Sequence, residues 1–388
     1  MSEYDWPLMQ DTLTLCDRLK LAKFVMKSNK FTQGPKVEEF ESAWSNWLGA
    51  KHSLFVSSGS TANFLLVAAI IEKYGLRPGD KVLVPACTWV TNINPIIQLG
   101  LEPVFCDINL DNFSFCERSL KRIAAWQTIR MVFVTHLLGI PAPTKKIKEL
   151  FPNAIIIDDV CESHGCTIDG VKVGAKSTGA TFSFYFGHHM STIEGGMIST
   201  NDEDLYDLMK MKRSHGMART SSYYTEYAKK YPDIDPSFLF VSDGYNFRNT
   251  EIGAVLGLSQ LTRLDKFIDI RRRRFVEFCV MMNNYVHLFH PIVMNPGNSS
   301  FCFPLIARDK AVKNRLTEKL REYKIEYRPV VSGNLLRQPY LRDRGYHVSQ
   351  STGNDAVDVL HDNGIYIGNN QFITSRDIQL LDKVLGEL

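Results

Sequence analysis

Cysteine is scarce in this chain. Eight occur in 388 residues, at positions 16, 87, 106, 116, 161, 166, 279 and 302, too thinly spread for a disulfide framework. Long apolar runs are missing too: the longest, Phe64 to Ile71, falls short of a bilayer's thickness. The N-terminal MSEYDW has neither the basic start nor the apolar core of a secretory leader. Nor is there an excess of one charge, since 45 Lys and Arg face 42 Asp and Glu for a net +3. Such a balance gives no electrostatic grip on nucleic acid or an acidic membrane. These absences predict a cytoplasmic protein acting on small molecules, with no nucleic-acid partner and no membrane.

What is present is an ordinary globular composition, 44% hydrophobic and 22% charged, in a chain long enough for about two domains. Short apolar runs alternate with helical patterns, the rhythm of an α/β fold with a largely parallel sheet. Strands are expected at Leu54–Val56, Lys81–Val84, Pro103–Cys106, Met131–Val134, Ala154–Ile157, Ala180–Phe184 and Met197–Ser199, with helical segments such as Ala62–Tyr74 and Leu205–Lys212 between some of them. Uniformly apolar strands imply helices on both faces of the sheet. After Leu261 a long charged helix, Arg263 to Asn284, breaks the rhythm, and Arg271 to Arg274 read as its solvated face. The expected division is a large domain at 1–266 and a smaller α+β domain at 267–388, with a cleft between them.

Three segments carry chemistry. In SLFVSSGSTANFLLVAAII a short strand passes through Ser57, Ser58, Gly59, Ser60 and Thr61 into an apolar helix. Free N–H groups at such a helix start suit a phosphate, and a simply capped helix is the plain alternative. No Gly-Lys-Ser/Thr follows, so it is not a P-loop. In AIIIDDVCESHG a buried strand runs into Asp158 and Asp159, with Glu162 and His164 behind, where α/β folds bind ligands. A helix cap by one Asp is an equal reading, and a metal site lacks a second spaced histidine. In ATFSFYFGHHMSTIEGGMIST a strand with Ser183 breaks at Gly187 and presents His188 and His189. On an extended chain the two imidazoles face opposite ways, leaving at most one for a site.

SSGST, PACTW, DDVCESHG, FSFYFGHHMSTIEGG and GYNFRNTEIGAVLGLSQL, in that order, resemble the sugar aminotransferase and dehydratase family of pyridoxal-phosphate enzymes (DegT/DnrJ/EryC1/StrS type, fold type I). The likeness extends from about Phe31 to the chain's end and implies homodimers with active sites at the subunit interface. It implies that Gly59, Ser60, Thr61 and Ser183 hold the cofactor phosphate. Trp89 would stack on the pyridine ring, and Asp159 would pair with the pyridinium nitrogen and keep the ring an electron sink. Glu162 joins the cofactor set, and Asn246 would reach the neighbouring subunit's phosphate. His215 and, in EYRPVVSGNLLRQPY, Arg328 are weaker substrate-binding candidates.

The departures are informative. Where family aminotransferases carry the lysine that grips the cofactor aldehyde, this chain has His188, and no lysine lies between Lys176 and Lys210. Imidazole has no primary amine, so the cofactor, pyridoxal or pyridoxamine 5′-phosphate, is expected without a covalent tether. Smaller departures are Ser60 for threonine, Asn63 for leucine and Glu162 for glutamine. The histidine-bearing members imply a lyase. His188, with a pKa near neutral, would act as general base and then general acid to remove the C3 hydroxyl of GDP-4-keto-6-deoxy-D-mannose and release ammonia. Glutamate would restore the amine, and the product would feed colitose into O-antigen lipopolysaccharide. Two alternatives are an iron-sulfur-coupled relative acting on a CDP-linked sugar, disfavoured because no C-x-C pair occurs, and a non-catalytic binding or regulatory protein. A metal hydrolase built on His188, His189 and Asp159 is a distant third, and no metal is expected.

Overall fold

The computed structural model describes residues 4–351, 353 and 355–388. Seven strands form the main sheet: β1 (His52–Val56), β2 (Lys81–Pro85), β3 (Glu102–Cys106), β4 (Met131–Thr135), β5 (Ile155–Asp159), β6 (Gly179–Ser183) and β7 (Gly196–Thr200). Their order is β1-β7-β6-β5-β4-β2-β3. β2 to β6 run parallel, and β7 lies antiparallel to both its neighbours. Every strand expected from the sequence is present, displaced by at most two residues at either end. β4, β6 and β7 are buried throughout, which is why they carry apolar residues on both faces rather than alternating.

Helices α1 (Pro35–Leu48), α2 (Gly59–Tyr74) and α3 (Glu203–Arg213) pack around β1 and β7. The long helix α4 spans Glu251–Met282, starting twelve residues before the expected Arg263. Gly253 and Gly257 hide that start, because helical glycine costs about 1 kcal/mol against alanine. Packing overrides the cost. A Cβ on Gly257 would lie 2.5 Å from the Phe40 ring, so only glycine lets α4 approach α1 this closely.

The arginine run on α4 also departs from expectation. Arg271 is only 2% exposed and donates from Nη1 to the Phe301 and Asn369 carbonyls. Arg272 donates to the Asn298 and Gly165 carbonyls, and Arg274 pairs with Glu277. Arg271 and Arg272 clamp α4 to neighbouring loops, because guanidinium groups can satisfy several carbonyls at once, while Arg273 is exposed as expected.

Beyond α4, three antiparallel strands, β8 (Cys302–Ile306), β9 (Tyr327–Pro329) and β10 (Gly364–Gly368), form a second sheet in the order β8-β10-β9. The start of the chain lies on it: Trp6 Nε1 donates to the Gly368 carbonyl at 2.9 Å and Leu8 N to Glu326 at 2.9 Å. α4 runs unbroken through position 267 between the two sheets. Among the described residues, no helix is long and apolar enough to cross a membrane.

Candidate active site

The carboxyl ends of β1, β4, β5 and β6 bring the sequence motifs to one edge of the main sheet. In register, Thr135 pairs with Asp159, Asp159 with Thr181, Ser183 with Gly196 and Val56 with Gly196. Residues 57–61 follow β1 at this edge, beside Ser183. A Cβ on Gly59 would fall 2.7 Å from Ser183 Cβ and 3.2 Å from Cys161 Sγ, and one on Gly196 would fall 2.2 Å from the Ser58 carbonyl oxygen. Both glycines are therefore required by close approach.

The helix start does two jobs at once. Ser58 and Thr61 form a capping box, each side chain accepting from the other's N–H, so the capped-helix reading is correct as far as it goes. Thr61 Oγ1 also donates to the Ser58 carbonyl at 2.9 Å. Gly59 and Ser60 stand at the first two helical positions, where an N–H has no intrahelical acceptor. A glycine cradle with two such donors, with the Ser183 hydroxyl beside it, fits a phosphate.

Asp158 and Asp159 close β5 and are followed by a turn, not a helix, so neither is a helix cap. Asp159 is 4% exposed and held by three donors. Asn63 Nδ2 and Asn92 Nδ2 donate to Oδ2 at 3.0 and 2.7 Å, and Cys161 N donates to Oδ1 at 2.9 Å. Three residues on, Glu162 accepts a single bond, from Leu138 N at 3.0 Å. Burial, with the Asp159 charge adding to it and the Leu138 bond opposing, pushes the Glu162 carboxyl up to about 7.

His188 lies five residues past Ser183 in a turn closed by its own N–H to the Tyr185 carbonyl at 3.0 Å. Because this is a turn and not extended chain, both histidines face one way: His188 and His189 sit 5.6 and 6.2 Å from the Phe301 ring and 6.1 and 5.3 Å from His164. His189 Nε2 lies 2.8 Å from the Ser299 carbonyl. Among the described residues, His188 Nδ1 has no partner. Burial first and the Arg271 guanidinium second lower His188 to about 4, below the near-neutral value expected from sequence. His164 and His189 are driven well below the usual imidazole range, chiefly by burial. The imidazole of His188 is thus in its base form throughout the neutral range.

Trp89 follows Thr88, whose hydroxyl donates to the Asn92 that touches Asp159, and its ring is 53% exposed, leaving a face open to a partner. Asn246, His215 and Arg328 are exposed. His215 adopts a left-handed backbone, φ 66°, and Arg328 pairs with Glu326 at 3.5 Å. Sequence reasoning missed Asn92, Ser299 and Phe301, placed Arg271 on a solvated face and took Asn63 as a mere departure. A polar residue inside the apolar run ANFLLVAAII was the available signal for Asn63, and nothing local marks Arg271.

A mostly parallel sheet with a glycine-led helix after its first strand, and a strand-end carboxylate beside it, define an aminotransferase-type α/β protein. The chain belongs to the DegT/DnrJ/EryC1/StrS aminotransferase family, whose profile matches residues 16–361. It is 32% identical over 376 residues to GDP-4-keto-6-deoxy-D-mannose 3-dehydratase of Escherichia coli O55:H7, covering 94% of this chain and 96% of that one. It is 34% identical over 372 residues to the enzyme of that name from Yersinia pseudotuberculosis, covering 93% of each. Among solved structures, the E. coli enzyme with bound hydrated PLP superposes with a TM-score of 0.91 at 30% identity, covering 99% of this chain and all of that one. Two further structures of GDP-4-keto-6-deoxymannose-3-dehydratase, also at 30% identity and covering 98% of this chain and all of theirs, superpose at 0.89 and 0.87. One holds GDP-perosamine, the other a trapped PLP-glutamate geminal diamine.

Proposed function

We propose that this chain is a pyridoxal-phosphate-dependent 3-dehydratase of nucleotide sugars that removes the C3 hydroxyl of GDP-4-keto-6-deoxy-D-mannose. The observation that carries the reading is an imidazole, not a lysine amine, at position 188 beside an otherwise complete cofactor cradle. Gly59, Ser60 and Ser183 would hold the phosphate, with Thr61 fixing the loop, and Asp159 would meet the ring nitrogen. Bound pyridoxamine phosphate supplies an amine and an electron sink.

The chain's own residues supply the proton traffic. Neutral His188 would take a proton from C4′ of the bound cofactor and pass it to the C3 hydroxyl of the sugar, which would leave as water. The nitrogen that leaves as ammonia would be the cofactor's own amine, joined to the sugar's C4 in place of the keto oxygen, which departs as water, and freed from C4 by hydrolysis; the cofactor would end as the aldehyde, and glutamate would restore its amine for the next cycle. The half-exposed Trp89 and the exposed Asn246 acquire their partners in a homodimer whose sites are shared, with His215 and Arg328 lining the sugar-nucleotide side. In this reading residues 1–266 form the cofactor unit and 267–388 the smaller one, and the enzyme works in the cytoplasm on 3,6-dideoxysugar precursors such as that of colitose. Purified protein given pyridoxamine phosphate and the GDP-keto-sugar should yield a 3-deoxy-4-keto sugar and ammonia, and regain turnover with glutamate. A stable 4-amino sugar as the product would overturn the assignment.

A further inference from the structure

We infer that Asn63 and Asn92 form an amide clamp that aims Asp159, and that Asn63 is a positioning residue for the contact between Asp159 and the ring nitrogen of bound pyridoxal phosphate. The inference rests on the proposed role of Asp159.

The hydrogen bonds fix which oxygen faces inward. Oδ2 of Asp159 accepts from both amides, at 3.0 and 2.7 Å, so it cannot itself carry a proton toward either. Oδ1 accepts from Cys161 N at 2.9 Å, and a backbone N–H can only donate. The clamp therefore occupies Oδ2 and leaves Oδ1 capacity for one more donor, which is what a pyridinium N–H requires.

The orientation of each amide is set by a hydroxyl behind it. Thr181 Oγ1 donates to Asn63 Oδ1 at 2.6 Å, and Thr88 Oγ1 donates to Asn92 Oδ1 at 2.6 Å. Flipping Asn63 would set its oxygen against the Asp159 oxygen and lose that bond, and the Thr181 hydroxyl would have to turn from donor to acceptor. Asn63 also donates to Thr91 Oγ1 at 3.1 Å. All these residues are buried or nearly so, and in such surroundings a charge-assisted bond is stronger than in water.

The location of Asn63 adds a second function to the clamp. Residue 63 stands four residues past Gly59 on α2, a rise of about 6 Å. One rigid helical turn thus offers its free N–H groups to the phosphate and an amide to the carboxylate that meets the ring. Leucine here would keep the helix and lose the tie.

The test uses full-length protein loaded with pyridoxal phosphate and titrated by absorbance to find the pH at which the ring loses its proton. Cofactor affinity is measured in parallel by fluorescence. Asn63→Leu should lower the transition by about one pH unit and weaken affinity about 10-fold. Thr181→Val, which keeps the strand and the side-chain shape, should move both readouts in the same direction by less, and it decides the matter if Asn63→Leu does not fold. Asp159→Asn serves as the reference and should show the largest change. If either folded variant keeps the wild-type transition and affinity while Asp159→Asn alters them, the clamp is refuted and the role of Asp159 stands. If Asp159→Asn also changes nothing, the assignment of Asp159 falls and the clamp with it.

Discussion

The two halves of the candidate site are built in opposite ways. Asp159 is a charge immobilised by three donors, two of which are themselves locked by hydroxyls. His188 is an uncharged ring set among aromatic and imidazole neighbours, with Nδ1 unpartnered among the described residues. A group that must hold one charge throughout a reaction gains from being fully bonded. A group that must take and release a proton loses by it, since each fixed partner favours one protonation state. On the proposed roles, the fold would separate the two tasks, since Asp159 lies at a strand end and His188 in a turn.

Breaking the histidine side should have the largest effect. His188→Asn keeps a polar side chain of similar reach and removes the titratable nitrogen, so turnover should fall about 10³-fold or more while cofactor affinity stays within a few-fold of wild type. Retained turnover would move the acid-base role elsewhere. Breaking the other side should cost stability as well as activity. Asp159→Ala leaves the Asn63, Asn92 and Cys161 donors buried without an acceptor, and apo-protein stability in urea should drop by about 2–4 kcal/mol. An unchanged urea midpoint would mean that the three bonds contribute nothing net.

The same contrast explains what was legible in the sequence. The strands, the serine-glycine loop after β1 and Asp159 announce themselves because apolar runs and chain breaks are local signals. The imidazole at 188 is visible because a lysine is missing from a known place. The clamp is not visible, because Asn63, Asn92 and Asp159 meet only when three separate segments reach one sheet edge. Arg271 misleads, since a four-arginine run on a helix reads as solvated until loops from Phe301 and Asn369 are seen to cover it. His188 and His189 mislead through backbone geometry: the turn at 185–188 cancels the alternation that an extended strand would impose.

Acid should expose the histidine side selectively. His164, His188 and His189 are held below the ordinary imidazole value in the fold, while the unfolded chain protonates near 6.5. Their neutral forms are therefore fully compatible with folding above about pH 6.5, and the fold loses stability as pH falls toward about 4. His164 stacks on Phe182 and Phe184 with neither ring nitrogen partnered among the described residues. His164→Phe should then raise stability at pH 5 by about 1–2 kcal/mol and flatten the slope between pH 6.5 and 4. A variant with the wild-type slope would assign acid lability to other groups.

Glu162 lies between the two designs and should show the smallest effect. It is a carboxyl three residues from Asp159 with one donor where Asp159 has three, and its value is pushed up to about 7. A raised carboxyl has the opposite sign to the histidines. The folded chain holds its proton while the unfolded chain has released it above about pH 4.3, so stability from this group declines as pH rises from there to about 7 and is level beyond. Glu162→Gln keeps an oxygen for Leu138 N and removes the titration. Because the side chain is partly exposed, solvent screening trims the gain, and the variant should be more stable than wild type by under about 1 kcal/mol at pH 8 and indistinguishable at pH 4. An equal difference at both pH values would show that packing, not ionisation, separates the two side chains, and that a single donor suffices to hold this carboxyl charged.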